Sequence, residues 1–151
     1  IEPYGGGGGR QLISRVGSGN DYIFQKAGDE ATTIVADGAF GNDWITIIGG
    51  QGNDSISITG GEGDDVVQIE SGSGDDSIIV SLGNGNNIAT IDGGDGTDTL
   101  TVNNPDGLPL LIQDSNLNII YGSGGGTTIT VTNIEQITVN GAGGNPIFTW
   151  P

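Results

Sequence analysis

The chain has 151 residues, of which 31 are glycine, and its 19 acidic side chains outnumber three basic ones to give a net charge of −16. So few cations cannot neutralise phosphates, which excludes nucleic acid as a natural partner. The sequence has no cysteine and no histidine. Disulfides, thiolate metal sites and imidazole catalysis are therefore excluded, and the remaining metal chemistry is that of Ca²⁺ or Mg²⁺ with oxygen ligands.

The N-terminal residues 1–15 are predicted to form a degenerate coil. They contain five consecutive glycines, Gly5–Gly9, and Arg10 stands where later units carry an acidic residue. The chain starts at Ile1 without a methionine, which predicts a processed product or a fragment. No apolar run approaches the length of a membrane span, so no transmembrane segment is expected.

Residues 16–103 are predicted to form an array of eleven-residue repeats. One polar residue recurs at this spacing, at Asp43, Asp54, Asp65, Asp76, Asn87 and Asp98, and Thr32 and Asp21 fall in the same register. A representative unit, GGQGNDSISIT from Gly49, consists of a glycine-rich turn followed by an alternating strand. Such a short strand cannot close a core alone, so the units must stack on one another.

Two units per coil would place residue i above residue i+22 in two parallel sheets with a thin aliphatic core. In the sheet called sheet 1 here, the predicted inward ladder is Ile23, Ile45, Val67, Ala89 and Leu111. In sheet 2 it is Leu12, Ile34, Ile56, Ile78 and Leu100.

The period is lost after Asn103, and residues 104–151 are predicted to be a strand-rich C-terminal cap or docking segment. A turn at 104–107 is followed by strand-like residues, and the sequence TTITVTNIEQITVN from Thr127 reads as two alternating strands. The predicted fold class is therefore all-β, a parallel β-roll or β-solenoid of tandem eleven-residue repeats with a β-rich C-terminal cap.

The repeats resemble the RTX, or haemolysin-type, calcium-binding repeats, whose pattern is GGxGxDxux with u a large apolar residue. Gly49 to Ser57 and Gly60 to Gln68 match this pattern closely, and Gly93 to Thr101 matches it with an extra acid. The resemblance covers about 100 residues, although the family's usual unit has nine residues instead of eleven. It implies that carboxylates and backbone carbonyls of stacked turns share Ca²⁺ ions, that the array folds when calcium arrives, and that the protein is exported.

Several calcium ions are accordingly expected as the cofactor. The predicted metal ligands are Asp21, Asp43, Asp54, Asp65, Asp76, Asn87 and Asp98. Stacked carboxylates about 4.8 Å apart repel each other unless a cation lies between them. The hypothesis is that Ca²⁺ bridges the pairs 21/43, 43/65, 54/76 and 76/98, and 65/87 more weakly. The alternative is that Asn and Asp occur here only as good turn formers.

The outward positions distinguish the two sheets. On sheet 1 the first residue after each turn is apolar, at Tyr22, Trp44, Val66, Ile88 and Leu110. This column predicts either an interface with another molecule or a surface that the C-terminal segment covers. Trp44 and Tyr22 also leave a carbohydrate ligand as an alternative. On sheet 2 the corresponding residues are Thr33, Ser55, Ser77 and Thr99, whose broken pattern speaks against an ice-binding face.

No enzyme activity is expected, because the carboxylates recur at every turn without a unique pair, and no nucleophile elbow or phosphate loop is present. The sequence favours a calcium-binding, secreted or cell-surface structural protein that assembles with copies of itself into a filament, surface layer or matrix. The alternative is a detached RTX folding module from a larger exported enzyme or adhesin.

Overall fold

The computed structural model of the chain describes residues 10–104, 106–116, 118–122 and 126–150. This part of the chain is almost entirely β-structure. The strands are β1 (Arg10–Arg15), β2 (Tyr22–Lys26), β3 (Thr32–Asp37), β4 (Trp44–Gln51), β5 (Ser55–Thr59), β6 (Val66–Ser73), β7 (Ser77–Ser81), β8 (Ile88–Asp92), β9 (Thr99–Asn103), β10 (Leu110–Asp114), β11 (Ile119–Gly122), β12 (Thr127–Thr132), β13 (Gln136–Asn140) and β14 (Pro146–Trp150). A short 3₁₀ helix (Ala142–Gly144) precedes β14.

The strands form two seven-stranded sheets within the described residues. Sheet 1 has the order β2, β4, β6, β8, β12, β10, β11, and sheet 2 has the order β1, β3, β5, β7, β9, β13, β14. The pairs are parallel except β10 with β11 and β13 with β14. Successive strands of the repeat alternate between the two sheets, so the chain winds as a β-solenoid of about four turns. The predicted fold class is confirmed.

The predicted stacking of residue i on residue i+22 is confirmed for β1 to β9. Ile34 pairs with Ile56 and Ile56 with Ile78, and all three side chains are 0% exposed. Period-2 alternation sends every second side chain inward, and β-branched residues pack well on such a pleated surface. The buried pairs of the six best repeats are Ile45 and Ile47, Ile56 and Ile58, Val67 and Ile69, Ile78 and Val80, Ala89 and Ile91, and Leu100 and Val102.

The prediction that Leu111 continues the core ladder above Ala89 is wrong. Strand β12 lies between β8 and β10, so Ile129 pairs with Ala89, and Leu111 is only half-buried. In β10 the neighbouring residues Leu110 and Ile112 are the buried ones. The physical reason is that the non-repetitive segment after Asn103 enters sheet 1 with its alternation shifted by one residue, which turns each side chain to the opposite face.

Leu110 is therefore also wrong as a member of the outward apolar column. Its place beside Ile88 is taken by Thr128 of β12. The column on the outer face of sheet 1 is reduced to Tyr22, Trp44, Val66 and Ile88, and these four residues are called the apolar ladder below. The C-terminal strand does not cover them in the described structure, because β14 pairs with β13 in sheet 2.

Parallel stacking extends beyond the last clear repeat. Strand β12 stacks on β8 at an offset of 40 residues, with Thr128 beside Ile88, and β13 stacks on β9 at an offset of 37, with Gln136 beside Thr99. The extra residues between β9 and β12 include the β10 and β11 hairpin. One irregular insertion is thus accommodated without breaking either sheet.

The pentaglycine segment Gly5–Gly9 and the rest of residues 1–9 lie outside the described residues, so only Arg10 to Arg15 of the predicted N-terminal coil can be placed, as β1. Searching the described residues for a helix that is long and apolar enough to cross a membrane finds none.

Candidate metal centre

The predicted ligand residues form two columns, one at each long edge of the solenoid. Column 1 contains Asp21, Asp43, Asp65 and Asn87, and column 2 contains Thr32, Asp54, Asp76 and Asp98. Each Asp or Asn immediately precedes a strand, at the point where the glycine-rich turn ends. The members are at most 3% exposed except Asp21, which is half-buried at the N-terminal end of its column. Asp and Asn in such turns would ordinarily point into water.

One carboxylate oxygen of Asp43, Asp54, Asp65, Asp76 and Asp98 is held by the preceding coil. The backbone N–H of Asp54 donates to Asp76 Oδ1 at 2.7 Å, and the N–H of Asp76 donates to Asp98 Oδ1 at 2.8 Å. In column 1, the N–H of Asp43 donates to Asp65 Oδ1 at 3.0 Å. Each side chain therefore satisfies a backbone donor of the coil before it, and such hydrogen bonds to a charged acceptor are strong.

The carbonyl groups of the same residues stay in the ordinary sheet pattern. The Asp54 carbonyl accepts from the N–H of Ser77 at 2.9 Å, and the Asp65 carbonyl accepts from the N–H of Ile88 at 2.9 Å. The N–H at the end of the turn is the group that takes this side-chain acceptor. An acidic or amide residue every eleven positions supplies it at both edges of the coil.

The second carboxylate oxygen is buried without a partner. Within the described structure no hydrogen bond reaches the Oδ2 atoms of Asp43, Asp54, Asp65, Asp76 and Asp98. A buried carboxylate oxygen with nothing bound to it is costly, because it has given up its water. Five such atoms in one small solenoid call for a shared explanation.

Glycine makes the room for these oxygens. A Cβ placed on Gly60 would lie 2.6 Å from Asp65 Oδ2 and 2.8 Å from the carbonyl oxygen of Leu82. A Cβ placed on Gly38 would lie 2.5 Å from both Asp43 Oδ2 and the carbonyl oxygen of Gly60. Glycine stands five positions before Asp43, Asp54, Asp65 and Asp98, whereas Ser71 stands there before Asp76. At each of these glycines a Cβ would meet one carboxylate oxygen and one main-chain carbonyl oxygen.

Asn87 shows how the same position is satisfied without charge. Its Oδ1 accepts from the N–H of Asp65 at 2.8 Å, as the carboxylates do. Its Nδ2, in the place of the unpartnered oxygen, donates to the carbonyl of Leu82 at 3.2 Å and to Thr127 Oγ1 at 3.1 Å. The residue five positions earlier is Leu82 instead of glycine. Asn87 is a neutral, fully bonded member of column 1.

Column 2 ends on a residue that the repeat pattern did not reveal. Glu135 Oε2 accepts from the N–H of Asp98 at 2.7 Å and so takes the role of the next Asp. The eleven-residue register does not reach Glu135, because the insertion after β9 shifts it. A local signal was present, since Glu135 immediately precedes strand β13 as Asp98 immediately precedes β9.

The local electrostatics of the columns disfavour bare carboxylates. Burial raises the pKa of Asp54 to about 6, although the hydrogen bond from Thr32 opposes the shift, and the charge of Asp76 adds to it. Burial also raises the pKa of Asp65 and of Asp98 against the hydrogen bonds that each accepts. Either a proton or a bound cation would relieve this buried charge.

The donor set fits a hard cation only if main-chain oxygens take part. Across the described ranges, no group of three or more acidic side chains gathers closely enough to hold a metal alone. Carboxylate oxygens and backbone carbonyls are nevertheless the ligands that Ca²⁺ uses, often with few carboxylates per ion. At Gly38 and Gly60, one oxygen of each kind lies within 2.8 Å of the point that a Cβ would occupy.

Comparisons with protein-family models, with curated proteins and with solved structures gave no match to this chain.

Proposed function

We propose that the chain is a calcium-binding extracellular structural protein, whose solenoid is stabilised by Ca²⁺ at the two columns and which assembles with copies of itself into a filament, surface layer or matrix. The observation that carries the proposal is the set of five buried Oδ2 atoms that no hydrogen bond reaches, four of them packed against a glycine. The RTX resemblance of the repeats agrees with this proposal.

Calcium would neutralise the stacked carboxylates. The proposed ligands are Oδ2 of Asp43, Asp54, Asp65, Asp76 and Asp98, with nearby main-chain carbonyls, and Asp21 at the open end of column 1. Ions would lie between the pairs 21/43, 43/65, 54/76 and 76/98. The pair 65/87 would bind more weakly, because the Asn87 amide already donates to carbonyl oxygens.

Weak sites favour an extracellular setting. Each site would have few charged ligands, and a calcium site with fewer charged ligands binds the ion more weakly. Extracellular modules with dissociation constants of about 10⁻⁴ to 10⁻³ M operate in this regime. The net charge of −16 gives the chain a further need for cations, because self-repulsion opposes a compact state.

A calcium titration followed by circular dichroism and light scattering on one sample tests the proposal. Gain of β-structure with rising scatter is the expected result, and magnesium at the same concentration should be much less effective, since it resists losing its water shell. Gain of β-structure in a monomer would favour a folding module of a larger exported protein instead. No response to calcium in structure or stability would refute the metal proposal.

A further inference from the structure

The outer face of sheet 1 carries an ordered pattern of three residue columns that the calcium proposal does not use. The apolar ladder forms the first column, and Tyr22, Trp44 and Ile88 in it are 65%, 47% and 57% exposed. A contiguous exposed apolar strip on a sheet is unusual for a surface that only meets water. The question is which partner fits it.

The third outward column is charged in a directional way. It runs through Lys26, Ile48, Glu70 and Asp92 in successive strands, so a cation lies at the N-terminal end and acids lie at the C-terminal end. Asp92 is held in place, since its Oδ1 accepts from Asn133 Nδ2 at 2.9 Å and from the N–H of Gly94 at 3.1 Å. The middle column contains Phe24, Thr46, Gln68 and Thr90.

We propose that this face pairs with the same face of a second copy, about a two-fold axis that runs parallel to the strands between β4 and β6. Such an axis keeps each column opposite itself and reverses the order of the coils. Lys26 then faces the second copy's Asp92, and Tyr22 faces its Ile88. The pairing rests on the proposed self-assembling role and specifies its contact surface.

The same operation also matches the residues of the two inner strands. Trp44 faces Val66 of the second copy, which sets the largest side chain of the ladder against a small one, and Ile48 faces Glu70, whose aliphatic stem can cover it. No two charges of the same sign are brought opposite each other. An isologous contact of this kind is self-complementary, as two-fold symmetry requires.

Two other positions of the axis are disfavoured by charge. Moving the axis onto β6 would place Glu70 opposite Glu70 and would leave Lys26 opposite the neutral Thr132. An axis along the stacking direction would place Lys26 opposite Tyr22 and Asp92 opposite Ile88, which buries charges against apolar groups. The directional charge column therefore favours the axis between β4 and β6 over these two, because Lys26 then faces an acid and no like charges meet.

The area of this face determines the affinity expected for the dimer. Four strands about 4.8 Å apart and about 17 Å long give a small patch, at the low end of specific interfaces. We expect a reversible dimer with a dissociation constant on the order of micromolar. Because the contact uses the face of sheet 1 and neither end of the solenoid, the pair could serve as the unit of a longer assembly.

Sedimentation equilibrium in calcium, with circular dichroism to confirm folding, tests the contact. Lys26→Glu should raise the dimer dissociation constant about tenfold or more, since it faces a like charge. Arg15→Glu is the matched control, because it makes the same charge change on β1 of sheet 2 and should leave association unchanged. Equal effects of the two variants, or a monomer at all concentrations, would overturn the proposal.

Cross-linking tests the orientation, and the chain has no cysteine of its own. Tyr22→Cys mixed with Ile88→Cys should join through a bis-maleimide spanning about 10 Å, the usual distance between packed sheets. Each variant alone should cross-link poorly, because its own copies lie three strands apart. Preferential Tyr22→Cys homodimers would overturn the axis. A chain that folds with calcium but stays monomeric refutes the pairing alone, and a dimer indifferent to calcium refutes the metal proposal alone.

Discussion

The backbone N–H of Asp43 donates to Oδ1 of Asp65, 22 residues later, at 3.0 Å, while Oδ2 of the same carboxylate is buried without a partner. One side chain therefore does two separable things. It completes the backbone hydrogen bonding of the previous coil, and it presents an oxygen that a cation can use.

Substitutions at Asp65 should separate these two roles. Asp65→Ala leaves the N–H of Asp43 without its acceptor, and we expect a loss of about 1 to 3 kcal/mol in the free energy of unfolding without calcium. Asp65→Asn keeps the acceptor and adds a donor, as Asn87 does, so its calcium-free stability should be at least that of the parent chain. Urea unfolding measures both, and equal destabilisation by the two variants would contradict the hydrogen-bond role. Calorimetry should show fewer bound calcium ions for both.

The reverse substitution, Asn87→Asp, should weaken the calcium-free protein. It removes the amide that donates to the Leu82 carbonyl and to Thr127, and it adds a buried charge where no glycine leaves room. We expect a lower urea midpoint without calcium, by about 1 to 3 kcal/mol in stability, and only partial recovery when calcium is added. Full recovery with one additional bound ion would show instead that Leu82 does not limit the site.

The glycines that stand five residues before Asp43, Asp54, Asp65 and Asp98 should be intolerant of a side chain. In Gly60→Ala the new Cβ would meet Asp65 Oδ2 at 2.6 Å and the carbonyl oxygen of Leu82 at 2.8 Å. Overpacking of this kind should cost about 1 to 3 kcal/mol or more. Gly17→Ala is the control, since no atom lies within 4 Å of its Cβ, and its effect should stay within about 1 kcal/mol. Comparable thermal midpoints for the two variants would refute the packing argument.

Acid should stabilise the calcium-free protein. The pKa of Asp54 is raised in the folded chain from its ordinary value of 3.8 to about 6, so ionisation is less favourable in the folded state than in the unfolded one. This contribution to stability is fully present below about pH 3.8 and is lost as the pH rises through about 6. Urea midpoints between pH 4 and pH 7 with a chelator present should therefore fall with increasing pH.

General relief of negative charge at low pH could imitate this effect. Asp54→Asn should flatten the pH dependence of stability, whereas Asn in place of the exposed Asp106 should change it little. If both variants keep the parent's slope, Asp54 is not the titrating group. Calcium should also bind more weakly below about pH 6, because protons then compete for the same oxygen.

Much of the fold could be predicted because the repeat period determines how the strands stack. The spacing of Asp43 and Asp65 implied the stacking of i on i+22, and alternation chose the buried residues, including Ile34 and Ile56. Which residues of β10 face the core could not be predicted. After Asn103 no repeat fixes the register, and alternation alone does not say which strand of a sheet is the neighbour of which.

The candidate site was predicted as a set of positions but not as a geometry. The repeat period placed the acidic residues in columns but did not indicate their burial, and Asp76 and Asp98 are at most 2% exposed. The carboxylates turn inward because the backbone N–H at the end of each turn takes a side-chain acceptor from the next coil. A sequence pattern does not display this need. The glycine five residues earlier, as in Gly60 and Asp65, was the available signal.

Because successive coils are structurally equivalent, only certain insertions and deletions are compatible with the fold. Adding or removing 22 residues would insert or delete one complete coil and leave every side chain on its own face, because the contact between neighbouring coils is the same throughout β1 to β9. A change of eleven residues would instead exchange the two sheets for everything downstream and break the apolar ladder. Such a chain can therefore grow by duplication only in steps of two repeats.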